Sequence, residues 1–352
     1  MEIPPGTDLT KVPLLPNPDG SPPNFDNPVS LKATTFSVTI ILVATSSVLV
    51  LLRVKAHSKI YKGLALDDCF CIASWALTTV YSAVVMSSTS TARHIWDVPL
   101  SAIDESWVKQ SAVLGTIYGP AMWFAKTAIL TMYLRLFSVK TWMKWCCYCG
   151  IGFLFCAYWS LVPVSAIYNF PHGDEHWDLS LSIDSQPAQV PFVVMGLISV
   201  VSDLYILVLP FPILLTLQVS RKRRVGLCLV FLTAIIGIVS SCLVFYFRIV
   251  LWRNDTDDST WNVAASYLTV AVEMNVAVIV SCTPAAAATW NLMLQDSKLL
   301  SSLRSLFNSS KNLVGDSSGS NASKIKHTEP APVSTTYLIS LESINTRGGD
   351  IV

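Results

Sequence analysis

Three ionisable residues lie inside long apolar stretches, where a charge is costly and often has a function. Lys126 lies in YGPAMWFAKTAILTMYLRLF, Asp203 in VVSDLYILVLPFP and Glu273 in YLTVAVEMNVAVIV. Each is near the middle of its stretch, so we expect the three side chains at one depth, with Asn275 beside Glu273. This pattern predicts either a polar pocket that handles a ligand or protons, or structural ion pairs that hold helices together.

A second charged set lies at the predicted cytoplasmic ends of the first three apolar stretches and comprises Arg53, Asp67, Asp68 and Arg135. The simplest interpretation is a rim of ion pairs that fixes helix ends. The alternative is a two-state lock that a receptor breaks on activation. The adjacent carboxylates also resemble half of a cation site, but without further ligands the sequence predicts no metal.

The composition is that of a polytopic membrane protein. The chain has 352 residues, of which 52% are hydrophobic and 13% charged, whereas soluble domains carry about 25% charged residues. A net charge of +1 gives no reason to expect a nucleic-acid partner. The sequence has no Gly-rich nucleotide loop and no nucleophile elbow, so we expect no cofactor.

Seven segments contain the roughly 20 apolar residues that a membrane-spanning helix needs. The fold class that they predict is all-α, a bundle of seven transmembrane helices. The segments are residues 34–52, 68–90, 112–136, 147–168, 190–217, 225–252 and 262–290.

The basic residues predict the orientation of the bundle. Lysine and arginine cluster after the first, third and fifth segments, and the run at 221–224 is the densest cluster. Since such clusters mark the cytoplasmic side, the N-terminus is expected outside and the C-terminus in the cytoplasm. Arg248, near the outer end of the sixth segment, is typical of an interface anchor.

Three regions follow from this topology. Residues 1–33 form an extracellular or luminal segment, 34–294 the helical domain, and 295–352 a disordered cytoplasmic tail rich in Ser and Thr. Asn254 begins a sequon in a predicted outer loop and is a candidate glycosylation site. None of the nine cysteines lies in a predicted outer loop, so we expect no disulfide framework.

An ordered set of motifs over about residues 35–290 resembles the fungal rhodopsin-domain integral membrane family. The motifs are LRVKAHSK, LALDDCFCIASW, RHIWDVP, IYGPAMWFAKTAILTMYLRLF, SDLYILVLPFPILLTLQ and VEMN. By this resemblance, the family's recurring polar and aromatic positions are Asp67, Asp68, His94, Trp96, Lys126, Arg135, Asp203 and Glu273. His94, Trp96 and the nearby Asp97 are the candidate site residues in the predicted outer loop. The last predicted helix has no lysine for a retinal Schiff base, so we expect a non-retinal member.

Members of this family are described as receptor-like, and many accompany secondary-metabolite pathways, including mycotoxin pathways. The resemblance therefore implies a non-enzymatic sensor or accessory protein in such biosynthesis. Its expected partners are the lipid bilayer, a small lipophilic metabolite and an unidentified cytoplasmic protein. The expected location is the plasma membrane or an internal membrane of the secretory pathway.

The alternative function is a membrane-embedded tailoring enzyme, a cyclase or isomerase that acts on a lipophilic metabolite. Asp203 or Glu273 would then be the general acid, and Lys126 would stabilise developing negative charge. A carboxyl group paired with Lys126 would be held ionised, however, which makes it a poor proton donor. A transporter is the third hypothesis, but the sequence shows no internal repeat.

Overall fold

A computed structural model describes residues 8–61, 65–136, 140–173, 176–177, 189–212, 221–253 and 258–296. The chain divides into two units, Met1–Asp296 and Ser297–Val352, and the second lies outside the described residues. Asn254, the candidate glycosylation site, also lies outside them, as does nearly all of the predicted cytoplasmic tail.

The described part of the chain is all-helical, as the sequence predicts. It has no β-strand there, only isolated bridges between Pro13 and Pro99 and between Ser30 and Arg93. Short 3-10 turns at Ser88–Thr91, Ile95–Asp97 and Leu100–Ala102 follow the second helix. The α-helices are α1 Lys32–Tyr61, α2 Leu66–Ser87, α3 Glu105–Leu136, α4 Thr141–Trp159, α5 Leu161–Tyr168, α6 Gln189–Val208, α7 Arg221–Arg253 and α8 Ser259–Asp296.

Local chemistry explains where several of these helices begin and end. The Asp68 carboxylate caps α2 by accepting a hydrogen bond from the Ala65 backbone N–H at 3.1 Å. Helix α6 ends at Val208, since Pro210 disfavours the helical conformation at the residue before it. The predicted fourth span is two helices, α4 and α5, which meet at Ser160.

Six stretches of the described chain are long and apolar enough to cross a membrane. They are Lys32–Lys55, Leu66–Thr91, Thr141–Tyr168, Gln189–Val208, Phe231–Arg253 and Ser259–Thr283.

Helix α3 is not one of the six, although it has 32 residues, because Lys126, Pro120 and several polar aromatic residues lower its apolar content. Its membrane crossing and the orientation of the termini stay predictions.

Helices α3 and α8 occupy the centre of the bundle. Helix α8 packs against α1, α2, α3 and α7, and α3 packs against α2, α4, α5 and α8, while α6 lies on α7. Between them lies a core that includes Tyr81, Tyr118, Met122, Leu130 and Met274. The outer faces of α1, α6 and α7 expose large apolar side chains, as expected of surfaces in contact with lipid.

Candidate functional site

Lys126 lies on the inner face of α3, where 1% of its surface is exposed. Its ammonium group is 2.8 Å from Oδ1 of Asp203 on α6. It also donates to the Ser199 carbonyl oxygen at 2.9 Å and to the Ser202 hydroxyl at 2.6 Å. With the Ser199 hydroxyl at 3.1 Å, four acceptors surround its three protons, which explains how a lysine is accommodated at this depth.

Glu273 on α8 lies beside this pair and is 2% exposed. It accepts hydrogen bonds from the Ser199 hydroxyl at 2.6 Å and from the Tyr118 hydroxyl at 3.2 Å. The Ser241 hydroxyl on α7 lies 2.8 Å from Glu273 and 2.5 Å from Asp203. One hydroxyl proton bonds one of these carboxylates at a time, so Ser241 can alternate between them.

The structure therefore brings together the three charges that the sequence places at one depth. We call Lys126, Asp203 and Glu273, with the bridging Ser199 and Ser241, the charge cluster. It joins α3, α6, α7 and α8 through polar side chains.

The sequence does not predict a role for these serines, because the hydroxyl group of a serine inside a helix commonly hydrogen-bonds to the backbone of its own helix. The available signal is the spacing of Ser199, Ser202 and Asp203, at positions i, i+3 and i+4, which places all three on one helix face.

Asn275 was predicted to belong to the same network as these charges. That prediction is wrong, because its side chain hydrogen-bonds to other helices. Its amide oxygen accepts from the Ser46 hydroxyl at 3.1 Å, and its amide nitrogen donates to Ser82 at 3.2 Å. It therefore links α8 to α1 and α2. Positions 273 and 275 differ by about 200° around a helix, so neighbours in sequence face different partners.

The second predicted set, the inner rim, also comes together. The guanidinium of Arg53 lies 2.8 Å from Asp68 and hydrogen-bonds Asp67 and the Ser281 carbonyl oxygen. Arg135 on α3 reaches the other oxygen of Asp67 at 3.2 Å. The rim thus connects α1, α2, α3 and α8. Within the described residues, no group of three or more His, Cys, Asp or Glu has metal-site geometry.

The residues of the predicted outer loop form a third contact set. His94 stacks between Trp96 and Trp261, with ring centroids 4.8 and 4.4 Å away, and its Nδ1 is 2.5 Å from Asp258. Asp97 accepts a hydrogen bond from the Asn24 backbone at 2.8 Å. These contacts attach the loop to the start of α8 and to the N-terminal segment.

A cavity of about 430 Å³ lies between this loop and the charge cluster, and we call it the loop-side cavity. Its lining runs from Ile95 in the loop to Tyr118 and Arg248 at the inner end, with Trp107 and Tyr267 between. Tyr118 belongs to both features, because its ring lines the cavity while its hydroxyl bonds Glu273.

Arg248 is the functional residue that sequence analysis places incorrectly. The predicted interface anchor is instead buried, with 6% of its surface exposed. Its guanidinium lies 4.4 Å from the Tyr118 ring centroid and donates to the Phe192 carbonyl oxygen at 2.5 Å. Position alone could not reveal this, since a helix end can face lipid or the bundle.

Comparison with known proteins adds a family context to this geometry. The family model described as fungal rhodopsin domain matches residues 52–292, which contain the charge cluster and the rim. Receptor GIN3 of Arthrobotrys oligospora is 24% identical over 326 residues, covering 90% of this chain and 74% of the receptor. A SAT4 family membrane protein of Emericella nidulans is 25% identical over 170 residues, 48% of this chain and 42% of its own. No solved structure matches.

Proposed function

The chain belongs to the fungal rhodopsin domain family, and from that premise we propose that it is a non-retinal sensor of a small lipophilic molecule. It is an integral multi-pass membrane protein of a receptor-like fungal family. The proposed topology has seven spans, with the N-terminus outside and the loop-side cavity open towards the outer face.

The observation that carries this proposal is the shared position of Tyr118. A ligand in the loop-side cavity would contact the ring of Tyr118, and the hydroxyl of the same residue bonds Glu273 in the charge cluster. Displacing this side chain would change the acceptors available to Ser199 and Ser241. Because Ser241 already lies within reach of two carboxylates, the cluster has two arrangements that a ligand can bias.

The inner rim is the proposed output. Arg53, Asp67 and Arg135 join α1, α2 and α3 at the ends predicted to face the cytoplasm. Helices α3 and α8 run from the charge cluster to this rim, so a shift of either helix would alter the rim's ion pairs. An unidentified cytoplasmic protein would bind the altered rim and transmit the signal.

The alternative, a membrane-embedded cyclase or isomerase, is favoured by two carboxyl groups near the inner end of a cavity. Its chemistry is harder to accommodate. Asp203 lies 2.8 Å from the Lys126 ammonium group, and Glu273 accepts hydrogen bonds from three hydroxyl groups. Both carboxyl groups are thus surrounded by hydrogen-bond donors, whereas a general acid must itself donate a proton to its substrate.

The proposed setting is secondary metabolism of the mycotoxin type, where the protein would act as a sensor or accessory component. The test compares metabolites and pathway transcripts in the parent fungus and in a strain lacking this gene. A sensor predicts that a whole product family and its transcripts fall together. Accumulation of one precursor with loss of one product, at unchanged transcript levels, would instead establish the enzyme.

A further inference from the structure

We propose that the loop-side cavity binds a small organic acid with an apolar body, and that the acid's carboxylate pairs with Arg248. The biological meaning of this binding rests on the proposed sensing function. The binding itself is a separate property, which depends on the charge of Arg248 and on the apolar lining of the cavity.

Among the described residues, Arg248 is a buried cation with no carboxylate in direct contact. No aspartate or glutamate among the described residues lies within ion-pair distance of it, and its hydrogen bond in the structure goes to the Phe192 backbone. A guanidinium carries five N–H donors and stays protonated at any physiological pH. With 6% of its surface exposed, it has lost most of its hydration, and a ligand carboxylate would replace the missing acceptors.

Arg248 is held rigidly at the inner end of the cavity. The Tyr118 ring lies on it at 4.4 Å and the Phe192 ring at 5.6 Å, measured from the guanidinium carbon to each ring centroid. Gly196 on α6 permits the close approach of α7, since a Cβ there would lie 3.3 Å from the Arg248 Cδ. A guanidinium group fixed in this way is planar and can donate two parallel hydrogen bonds to a carboxylate.

The rest of the cavity selects for one acidic group on an apolar body. Among the described residues that line it, Arg248 is the one charged residue. Apolar and aromatic surface comes from residues such as Trp107, Phe192 and Leu251, while Ser111 and Ser266 add hydroxyl groups. A volume of about 430 Å³ lies within the range of small-molecule sites. An amine would meet the like charge of Arg248, and an alcohol would leave that charge unpaired.

The test measures equilibrium binding to the full-length protein in nanodiscs, with empty nanodiscs as background. The probe is radiolabelled 4-phenylbutyrate, and the competitors are 4-phenylbutanol and 4-phenylbutylamine, which keep the body and change the charged group. Decanoate is the lipid-type acid, so its affinity relative to phenylbutyrate separates a bilayer source from a soluble one. We expect the alcohol and the amine to bind about 10- to 100-fold more weakly than the acid.

The variant arm uses Arg248→Gln, with Arg253→Gln as the matched control because Arg253 is an exposed arginine on the same helix. We expect Arg248→Gln to lose the preference for the acid and Arg253→Gln to keep it. Equal affinity for acid and alcohol in the unmodified protein would overturn the inference, as would the absence of saturable acid binding. These comparisons need no variant, so they hold even if Arg248→Gln does not fold.

The two proposals fail separately. If the acid binds as expected but the deletion strain behaves like its parent, the sensing function is wrong and the acid site stands. If the product family and its transcripts fall together in the deletion strain while the protein shows no preference for the acid, the sensing function stands and the assignment of the ligand class is wrong.

Discussion

Lys126 is stable inside the bundle because four acceptors surround its ammonium group, one of them the Asp203 carboxylate. Removing only one member of the ion pair therefore lowers the stability of the protein. Removing the lysine leaves the partly buried Asp203 carboxylate without its cation, next to the buried Glu273, whereas neutralising Asp203 at the same time removes part of that cost.

At the residue scale we therefore predict that Lys126→Met lowers the free energy of unfolding by about 3–5 kcal/mol. The double variant Lys126→Met/Asp203→Asn should regain part of this loss. Thermal unfolding of the purified protein in detergent measures both changes. The control is Lys109→Met, whose partner Glu105 is 62% exposed, and it should have almost no effect. A double variant that regains none of the loss would contradict the interaction of the pair.

The charged members of the site were predictable from depth alone, since Lys126, Asp203 and Glu273 have almost no tolerated place except a shared interior. The neutral members were not. Ser241 and Tyr118 are ordinary residues of membrane helices, and their role depends on the rotation of α7 and α3 about their axes. That rotation is set by packing between distant segments, which the local pattern around each residue does not encode.

At the scale of elements, the bundle depends on a close approach of α3 to the junction between α4 and α5. A Cβ on Gly119 would lie 2.3 Å from the Tyr158 carbonyl oxygen, a backbone atom that cannot rotate away. Here α3 and α4 touch through backbone, next to the charge cluster.

Gly119→Ala should therefore force the two helices apart and destabilise the protein by about 1–3 kcal/mol. The matched control is Gly152→Ala on α4, where a Cβ would meet nothing within 4 Å. That change should be neutral or stabilising, by up to about 1 kcal/mol, because alanine favours helix. Melting temperatures in one detergent compare the two, and equal melting temperatures would rule out the close contact.

The existence and order of the helices could be predicted from apolar length, but several ends could not. The sequence pattern extends the fifth segment to residue 217, whereas α6 ends at Val208 before Pro210. The fourth segment reads as one span because Ser160, the junction of α4 and α5, is a small residue within apolar sequence. Hydropathy averages over such local breaks, and only the backbone conformation reveals them.

For the whole molecule, the position of the two termini distinguishes six membrane crossings from seven. Six spans would leave both termini on one side, whereas a crossing by α3 as the seventh places them on opposite sides. The basic clusters after the first, third and fifth segments favour seven.

We predict that an N-terminal epitope tag is cleaved by external protease in intact fungal spheroplasts, while a C-terminal tag is protected until the membrane is permeabilised. A cytoplasmic tag-free protein detected in the same blot controls for leakage. In an internal membrane, a seven-span protein would have both tags protected in intact spheroplasts and only the C-terminal tag cleaved after selective permeabilisation of the plasma membrane. Tags that behave alike both before and after that permeabilisation would therefore exclude the seven-span topology and leave α3 outside the set of crossings.

In the proposed sensor, a ligand in the loop-side cavity changes the hydrogen bonds of the charge cluster through the Tyr118 hydroxyl. The most direct measurement replaces Tyr118 by Phe in the chromosomal gene, which keeps the ring on Arg248 and removes the hydrogen bond to Glu273. The control is Tyr81→Phe, another buried tyrosine of the cavity lining, with no described hydrogen bond to the cluster.

Membrane levels, pathway transcripts and metabolites are then compared with those of the parent and the deletion strain. We predict that Tyr118→Phe protein accumulates normally but gives the transcripts and metabolites of the deletion strain, while Tyr81→Phe resembles the parent. A Tyr118→Phe strain that matches the parent at normal protein level would contradict the proposed coupling.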